Sequence, residues 1–281
     1  MTKLIKTLLG VESIDFYHNS QGRQLKAQMW KPVKVGGSKK IPLVAFDVGL
    51  QFRIWDISLF PAIIASLGFA VVGTEYRRIE IAKGEVTDIV NLIEFTKKEF
   101  NFVLDKVILV GVSMGAATML KIASKFGKEL NVISVVSIGA FADLARAYYY
   151  ALAFVKDKPK TQMHVNLLNL YIRHIFASPS VIPWEYTERS PSNFVPFIEC
   201  PVLFIHGRKD KIVPVDHSLE LYYKMLYLGK DVTLALVPGE GIHTPLRIFH
   251  MLNGLNVFGF LKALWLTAKF LRKSAIQSVN P

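Results

Sequence analysis

Polar and apolar positions alternate at the start of the chain. Val11 to Tyr17 and Gln24 to Trp30 read as two strands joined by the turn Asn19-Ser20-Gln21-Gly22. Lys31 to Lys40, with Pro32 and Gly36-Gly37, reads as a surface loop. The pattern then changes to short apolar runs separated by stretches of helical period. Pro42 to Val48, Phe69 to Gly73, Lys106 to Val110, Val132 to Ile138, and the runs ending at Gly207 and Val237 carry the strand signal. Ser58 to Leu67 and Val86 to Phe100, the latter with Ile89, Ile93 and Phe100 on one face, carry the helical one. The alternation predicts an α/β fold, with a mostly parallel central sheet, flanking helices and right-handed crossovers. Phe141 to Val195 breaks it. That stretch is too long for a plain crossover and is dense in large side chains, among them Tyr148, Tyr149, Tyr150, Tyr171 and Trp184. The organisation expected is a core of residues 1–140 and 196–281 with an insertion at 141–195. At the end, Val257 to Lys273 reads as a helix with Val257, Phe260, Leu261, Leu264, Ala268 and Leu271 as its apolar stripe.

Gly111-Val112-Ser113-Met114-Gly115 follows one strand run directly and precedes a helical stretch, Ala116 to Ser124. A serine in that string sits on a sharp strand-to-helix turn, where the glycines are needed because a Cβ would collide. The turn lifts the hydroxyl above the sheet and aims the helix N-terminus at whatever the oxygen attacks. Serine is inert near neutral pH until a base takes its proton, and the base needs an orienting group. Asp210, in His206-Gly207-Arg208-Lys209-Asp210, and His243, in Pro238-Gly239-Glu240-Gly241-Ile242-His243, each fall just past a strand run. All three residues therefore belong to the carboxyl edge of the sheet, where open α/β sheets keep their ligands.

Together these residues resemble the α/β-hydrolase superfamily, and within it the catalytic domain of prolyl-oligopeptidase-like and related esterases. The resemblance runs from Ile41 to the end of the chain. It includes Glu75-Tyr76-Arg77-Arg78, similar to the family's Asp-Tyr-Arg-Gly, and also Ser190-Pro191 and His206-Gly207-x-x-Asp210-x-x-Val213-Pro214. It implies Ser113 as nucleophile, Asp210 as orienting acid and His243 as general base. Asp143 is the alternative acid, since some relatives place it after the preceding strand. Met114 would supply one oxyanion N–H, and a loop amide among Gly49, Leu50 and Gln51, assigned here to Leu50, would supply the other. The insertion would be a helical lid, its aromatic residues either facing an acyl group or packing the lid on the body. The sequence departs from the family twice. Asp47-Val48 stands where relatives carry His-Gly, and the histidine loop reads Gly-Ile-His rather than Gly-His. A carboxylate beside a developing oxyanion would raise the barrier, so Asp47 is expected to turn away and bond backbone amides.

Composition narrows the picture further. The 281 residues, 51% of them hydrophobic, suffice for a single large core. One cysteine excludes an internal disulfide and suits a reducing compartment, and Cys200 reads as buried filler. No secretory signal is evident, and no stretch reaches the about 18 uninterrupted apolar residues of a membrane span, so a cytoplasmic location is expected. The +12 charge comes from scattered lysines without a nucleic-acid motif, and reads mainly as a solvated basic surface. No His/Cys/Asp cluster has metal spacing, so neither metal nor cofactor is expected.

The expected activity is hydrolysis of a small carboxylic ester through an acyl-enzyme. Peptide cleavage by the same triad is the alternative chemistry, although 281 residues leave no room for the β-propeller that such peptidases usually carry in front. A rival from a different class is a non-catalytic, membrane-peripheral binding protein on the same fold. It is motivated by Asp47 and by the last helix, where Phe258, Trp265 and Phe270 widen the apolar surface beside Lys262, Lys269 and Lys273. That surplus leaves room for a membrane-surface contact or a homodimer interface.

Overall fold

The computed structural model describes residues 9–35, 40–49, 59–76, 80–157, 165, 168–169, 175, 177–239 and 255–279. Its centre is an eight-stranded sheet in the order β1-β2-β4-β3-β5-β6-β7-β8. The strands are β1 (Val11–Ser20), β2 (Arg23–Pro32), β3 (Ile41–Asp47), β4 (Ala70–Thr74), β5 (Val103–Val112), β6 (Val132–Ile138), β7 (Val202–Gly207) and β8 (Val232–Val237). β1 and β2 form an antiparallel hairpin, and β2 pairs antiparallel with β4. All remaining pairs are parallel. The inner strands are largely apolar because helices cover both faces. The mixed sheet matches the α/β expectation.

The helices are α1 (Leu59–Ser66), α2 (Gly84–Glu99), α3 (Met114–Phe126), α4 (Leu144–Asp157), α5 (Pro183–Arg189), α6 (Asp216–Tyr227) and α7 (Leu255–Val279). One core layer packs α2, α3 and α6 against one face of the sheet, around Leu92, Ile93, Leu109, Met119 and Phe204. The other packs α1 and α7 against the opposite face, around Trp30, Phe60, Ile108, Val110 and Leu271. A third, smaller cluster joins α4 and α5 to the carboxyl edge of the sheet.

Two expectations are corrected by packing. β5 begins at Val103, ahead of the apolar run at Lys106, because Ile41 pairs with Val103 across a register shift. In α7, Leu261 does not join the buried stripe and is 52% exposed. The helix instead meets the sheet through Ala263, Thr267, Leu271 and Ser274, all buried. Small and polar side chains serve there because Thr267 Oγ1 and Ser274 Oγ donate back to the carbonyls of Ala263 and Phe270, at 2.9 and 3.1 Å.

Candidate active site

β5 ends at Val112 and α3 starts at Met114, so Ser113 makes the whole turn between them. Its backbone holds φ +56° and ψ −120°, a conformation that costs an L-residue energy and survives only where neighbours enforce it. One such constraint is the Ser113 N–H, which donates to Ile138 O at the end of β6 over 2.8 Å. The flanking glycines are a steric requirement. A Cβ on Gly111 would lie 2.5 Å from Gly115 O, and one on Gly115 would lie 2.5 Å from Asp47 O. The elbow is thus wedged between its own first helical turn and the end of β3.

As the first residues of a helix, Met114 and Gly115 have no carbonyl one turn back for their N–H groups. The end of β3 approaches these amides. Gly49, at φ +69°, is so near that a Cβ there would lie 3.0 Å from Gly115 N and 3.2 Å from Met114 N. Two chain segments therefore meet beside Ser113. Leu50, the loop donor expected from sequence, lies outside the described residues.

Asp47 turns into its own bend. Its Oδ1 accepts the Gly49 N–H at 3.1 Å and a very short hydrogen bond from the Tyr76 hydroxyl. Burial pushes this carboxyl up to about 7, against the Gly49 bond, and the nearby Glu85 pushes the same way. Glu85 is itself raised by burial. It accepts the N–H groups of Glu80, Ile81 and Lys83 at 2.6, 3.0 and 3.2 Å, holding a turn in which Ile81 and Ala82 have positive φ. Neither Glu85 nor the role of Tyr76 was foreseen. The available signal was the place of Tyr76 in Glu75-Tyr76-Arg77-Arg78, just past β4.

Asp210 follows β7, and its side chain is 1% exposed. Oδ1 accepts the N–H groups of Ile212 and Val213 at 2.9 and 3.0 Å. Oδ2 lies 3.5 Å from His206 Nε2. This arrangement fixes the carboxylate's orientation and explains the spacing of the motif. His206 is the packed residue expected of a strand end, its Nδ1 2.6 Å from Ser218 Oγ and its Nε2 2.8 Å from Val213 O. The alternative acid, Asp143, lies at the start of α4, where its Oδ1 accepts the Arg146 N–H at 2.7 Å. His217 sits nearby, with Nδ1 accepting the Ala142 N–H at 3.0 Å. Burial, reinforced by Arg146, lowers it to about 4, so its ring is neutral. Ser113 and Asp210 thus stand at the same edge of the sheet, after β5 and β7, with β6 between them. His243 lies outside the described residues.

The floor beside the elbow is apolar. Met114 packs with Ile81, Ala82, Phe141, Tyr148, Tyr186 and Val213. Tyr148 and Tyr186, with centroids 5.8 Å apart, are buried, whereas Tyr149 and Trp184 are exposed. Part of the aromatic content of 141–195 therefore anchors this segment to the body. Two buried cations strengthen the anchor. Lys121 of α3 donates to Ala82 O and Glu188 O at 2.9 and 3.1 Å, and Arg189 Nε donates to Glu80 O at 2.9 Å. Cys200 is inert by its surroundings, which push the thiol up to about 12.

Comparison with known proteins agrees with this architecture. The chain is 28% identical over 204 residues to the uncharacterized peptidase YtmA of Bacillus subtilis, covering 70% of this chain and 69% of that one. It is 30% identical over 144 residues to the esterase YjfP of Escherichia coli, covering 50% and 52%. Among solved structures, an acylaminoacyl peptidase of Pyrococcus horikoshii superposes with a TM-score of 0.75 at 19% identity, over 97% of this chain and 43% of that one. The chain thus spans less than half of that peptidase. The BD-FAE family model matches residues 57–225, which includes the elbow, Asp210 and four of the eight strands. A match over that length shows that the chain belongs to the BD-FAE family, in the prolyl-oligopeptidase-like and esterase branch of the α/β-hydrolase superfamily.

Proposed function

We propose that this chain is a serine hydrolase that cleaves carboxylic esters through an acyl-enzyme. The observation that carries the reading is Ser113 at φ +56°, raised on a strand-to-helix turn, with the oriented carboxylate of Asp210 two strands away at the same sheet edge. Ser113 Oγ attacks the ester carbonyl while His243 takes its proton, and Asp210 holds the imidazole tautomer and stabilises its charged form. The negative charge that develops on the carbonyl oxygen is met by the Met114 N–H and a loop amide after β3, assigned to Leu50. His243 then returns the proton to the departing alkoxide. A water deprotonated by the same imidazole releases the acid. The Met114–Tyr148–Val213 surface beside the elbow favours an apolar acyl group.

Peptide hydrolysis by the same residues is the second reading, supported by the peptidase names of YtmA and the Pyrococcus protein. The chemistries differ at the leaving group, because an amine must be protonated as it departs whereas an activated alkoxide need not be. A panel of p-nitrophenyl esters of rising chain length, run beside aminoacyl-nitroanilides, separates them. Turnover confined to the esters is expected, and preference for the anilides would reverse the assignment. A fluorophosphonate should label Ser113, and Ser113→Ala should lose both label and turnover. An unlabelled wild-type protein, or an active Ser113→Ala, would refute the hydrolase reading.

A further inference from the structure

The candidate site absorbs the carboxyl edge of the sheet but leaves α7 and the amino edge unexplained. α7 holds four cations, Lys262, Lys269, Arg272 and Lys273, and no acidic residue in 25 positions. Its buried side holds Ala263, Thr267, Leu271 and Ser274, and several of its large apolar side chains are left outside. Phe258, Leu261, Trp265 and Ile276 are 72, 52, 58 and 67% exposed. Their spacing of three, four and eleven residues puts them on one long face with the four cations, which are exposed too. The Lys269 ammonium lies 5.4 Å from the centre of the Trp265 ring. At its far end the helix reaches the amino edge of the sheet, between two concavities. Ser274 lines one of about 940 Å³ together with Lys106, Lys125, Lys128 and Lys230. Ile276 lines the other, of about 600 Å³, together with Lys34 and Lys40. Glu199 is the acidic residue in the larger concavity, paired with Lys128 at 3.2 Å.

We propose that the outer face of α7 and the lysine-lined amino edge beside it form a docking surface for an anionic phospholipid bilayer. Aromatic and aliphatic side chains among cations, with no anions on the helix, are the make-up of a helix that lies in a headgroup layer. Trp265 and Phe258 would enter the acyl boundary while the long basic stems lie along it and carry their charges to the phosphates. A nucleic acid would use the cations but leave Phe258, Leu261 and Ile276 without a partner. A second copy docking about a two-fold axis would set the same cations against one another. Among the described residues no helix is long and apolar enough to cross a membrane, so the contact is peripheral. Ser113 stands at the opposite edge of the sheet, so the bound protein would present its site to the aqueous side.

Co-sedimentation of the full chain with vesicles tests this. Retention on phosphatidylcholine vesicles containing phosphatidylglycerol is expected, with loss on pure phosphatidylcholine and at high salt. Substituting Lys262, Lys269, Arg272 and Lys273 by Gln should weaken retention by at least about 50-fold. Trp265→Ala with Phe258→Ala should weaken it by about 10-fold or more. Arg23→Gln with Lys98→Gln, away from α7, should leave it unchanged. Hydrolysis of a soluble ester should be the same in all of these variants, which separates this surface from the site. Absence of binding to anionic vesicles, equal retention by the four-Gln variant, preferential capture by an oligonucleotide, or a Trp265-dependent dimer in sedimentation velocity would overturn the proposal.

Discussion

At Gly115 a single methyl group decides whether the elbow can close. Its Cβ would fall 2.5 Å from a backbone oxygen of β3 and 2.8 Å from Asp47 Cγ, and a backbone oxygen cannot rotate away as a side chain could. Gly115→Ala should therefore destabilise the fold by about 3 kcal/mol or more in urea unfolding. Gly229→Ala, at φ +67° with nothing within 4 Å, should cost about 1 kcal/mol from backbone strain alone. Asp47 gives a second test. Its carboxyl rises from an ordinary 3.8 to about 7 in the folded state, so between those values the folded protein binds more protons than the unfolded chain. Stability must then fall as pH rises from about 4 to about 7, by up to about 4 kcal/mol from this group. Asp47→Asn should flatten that part of the profile, measured as urea midpoints at a series of pH values. The placement of Ser113 and Asp210 after β5 and β7 was readable in the sequence because each follows an apolar strand run and a local glycine motif. The Tyr76–Asp47 bond was not, because it joins residues 29 apart that meet only once β3 and β4 pair.

Periodicity located the elements well where one face was clearly apolar. It was partly right in α7, where Phe260, Leu264 and Leu271 pack on the core but the stripe also included the exposed Leu261. Hydrophobicity reports what prefers burial, whereas close approach to a sheet selects small volume, and in α7 the second criterion prevailed. Thr267→Leu, placed at a fully buried contact, should accordingly overpack the helix against the sheet and cost about 1–3 kcal/mol. Leu261→Ala should stay within about 0.5 kcal/mol of the parent. Urea denaturation midpoints of the two variants check this order, which is the reverse of what the sequence pattern suggests. The early start of β5 has a similar origin. Asp105 and Lys106 interrupt its apolar run, yet pairing with β3 extends the strand across them.

For the molecule as a whole, the insertion between β6 and β7 depends on the body through a few buried polar links. Lys121→Met and Arg189→Met each remove a donor from backbone carbonyls and should cost about 1–3 kcal/mol apiece. Faster proteolytic cleavage within residues 141–195 than elsewhere is the expected readout. The succession of strands and helices made this architecture legible, since each apolar run needed a neighbour on both sides. The contacts of the insertion were not legible, because Lys121 and Glu188 are distant in sequence and neither position announces burial. The wedged elbow has a consequence for how such a protein can change. Because the backbone around Ser113 leaves no space even for one added carbon, random variation there is almost always ruinous. Tolerance to change is then expected at surface positions such as Tyr149 and Trp184, which stand in open solvent and can be exchanged without disturbing the elbow.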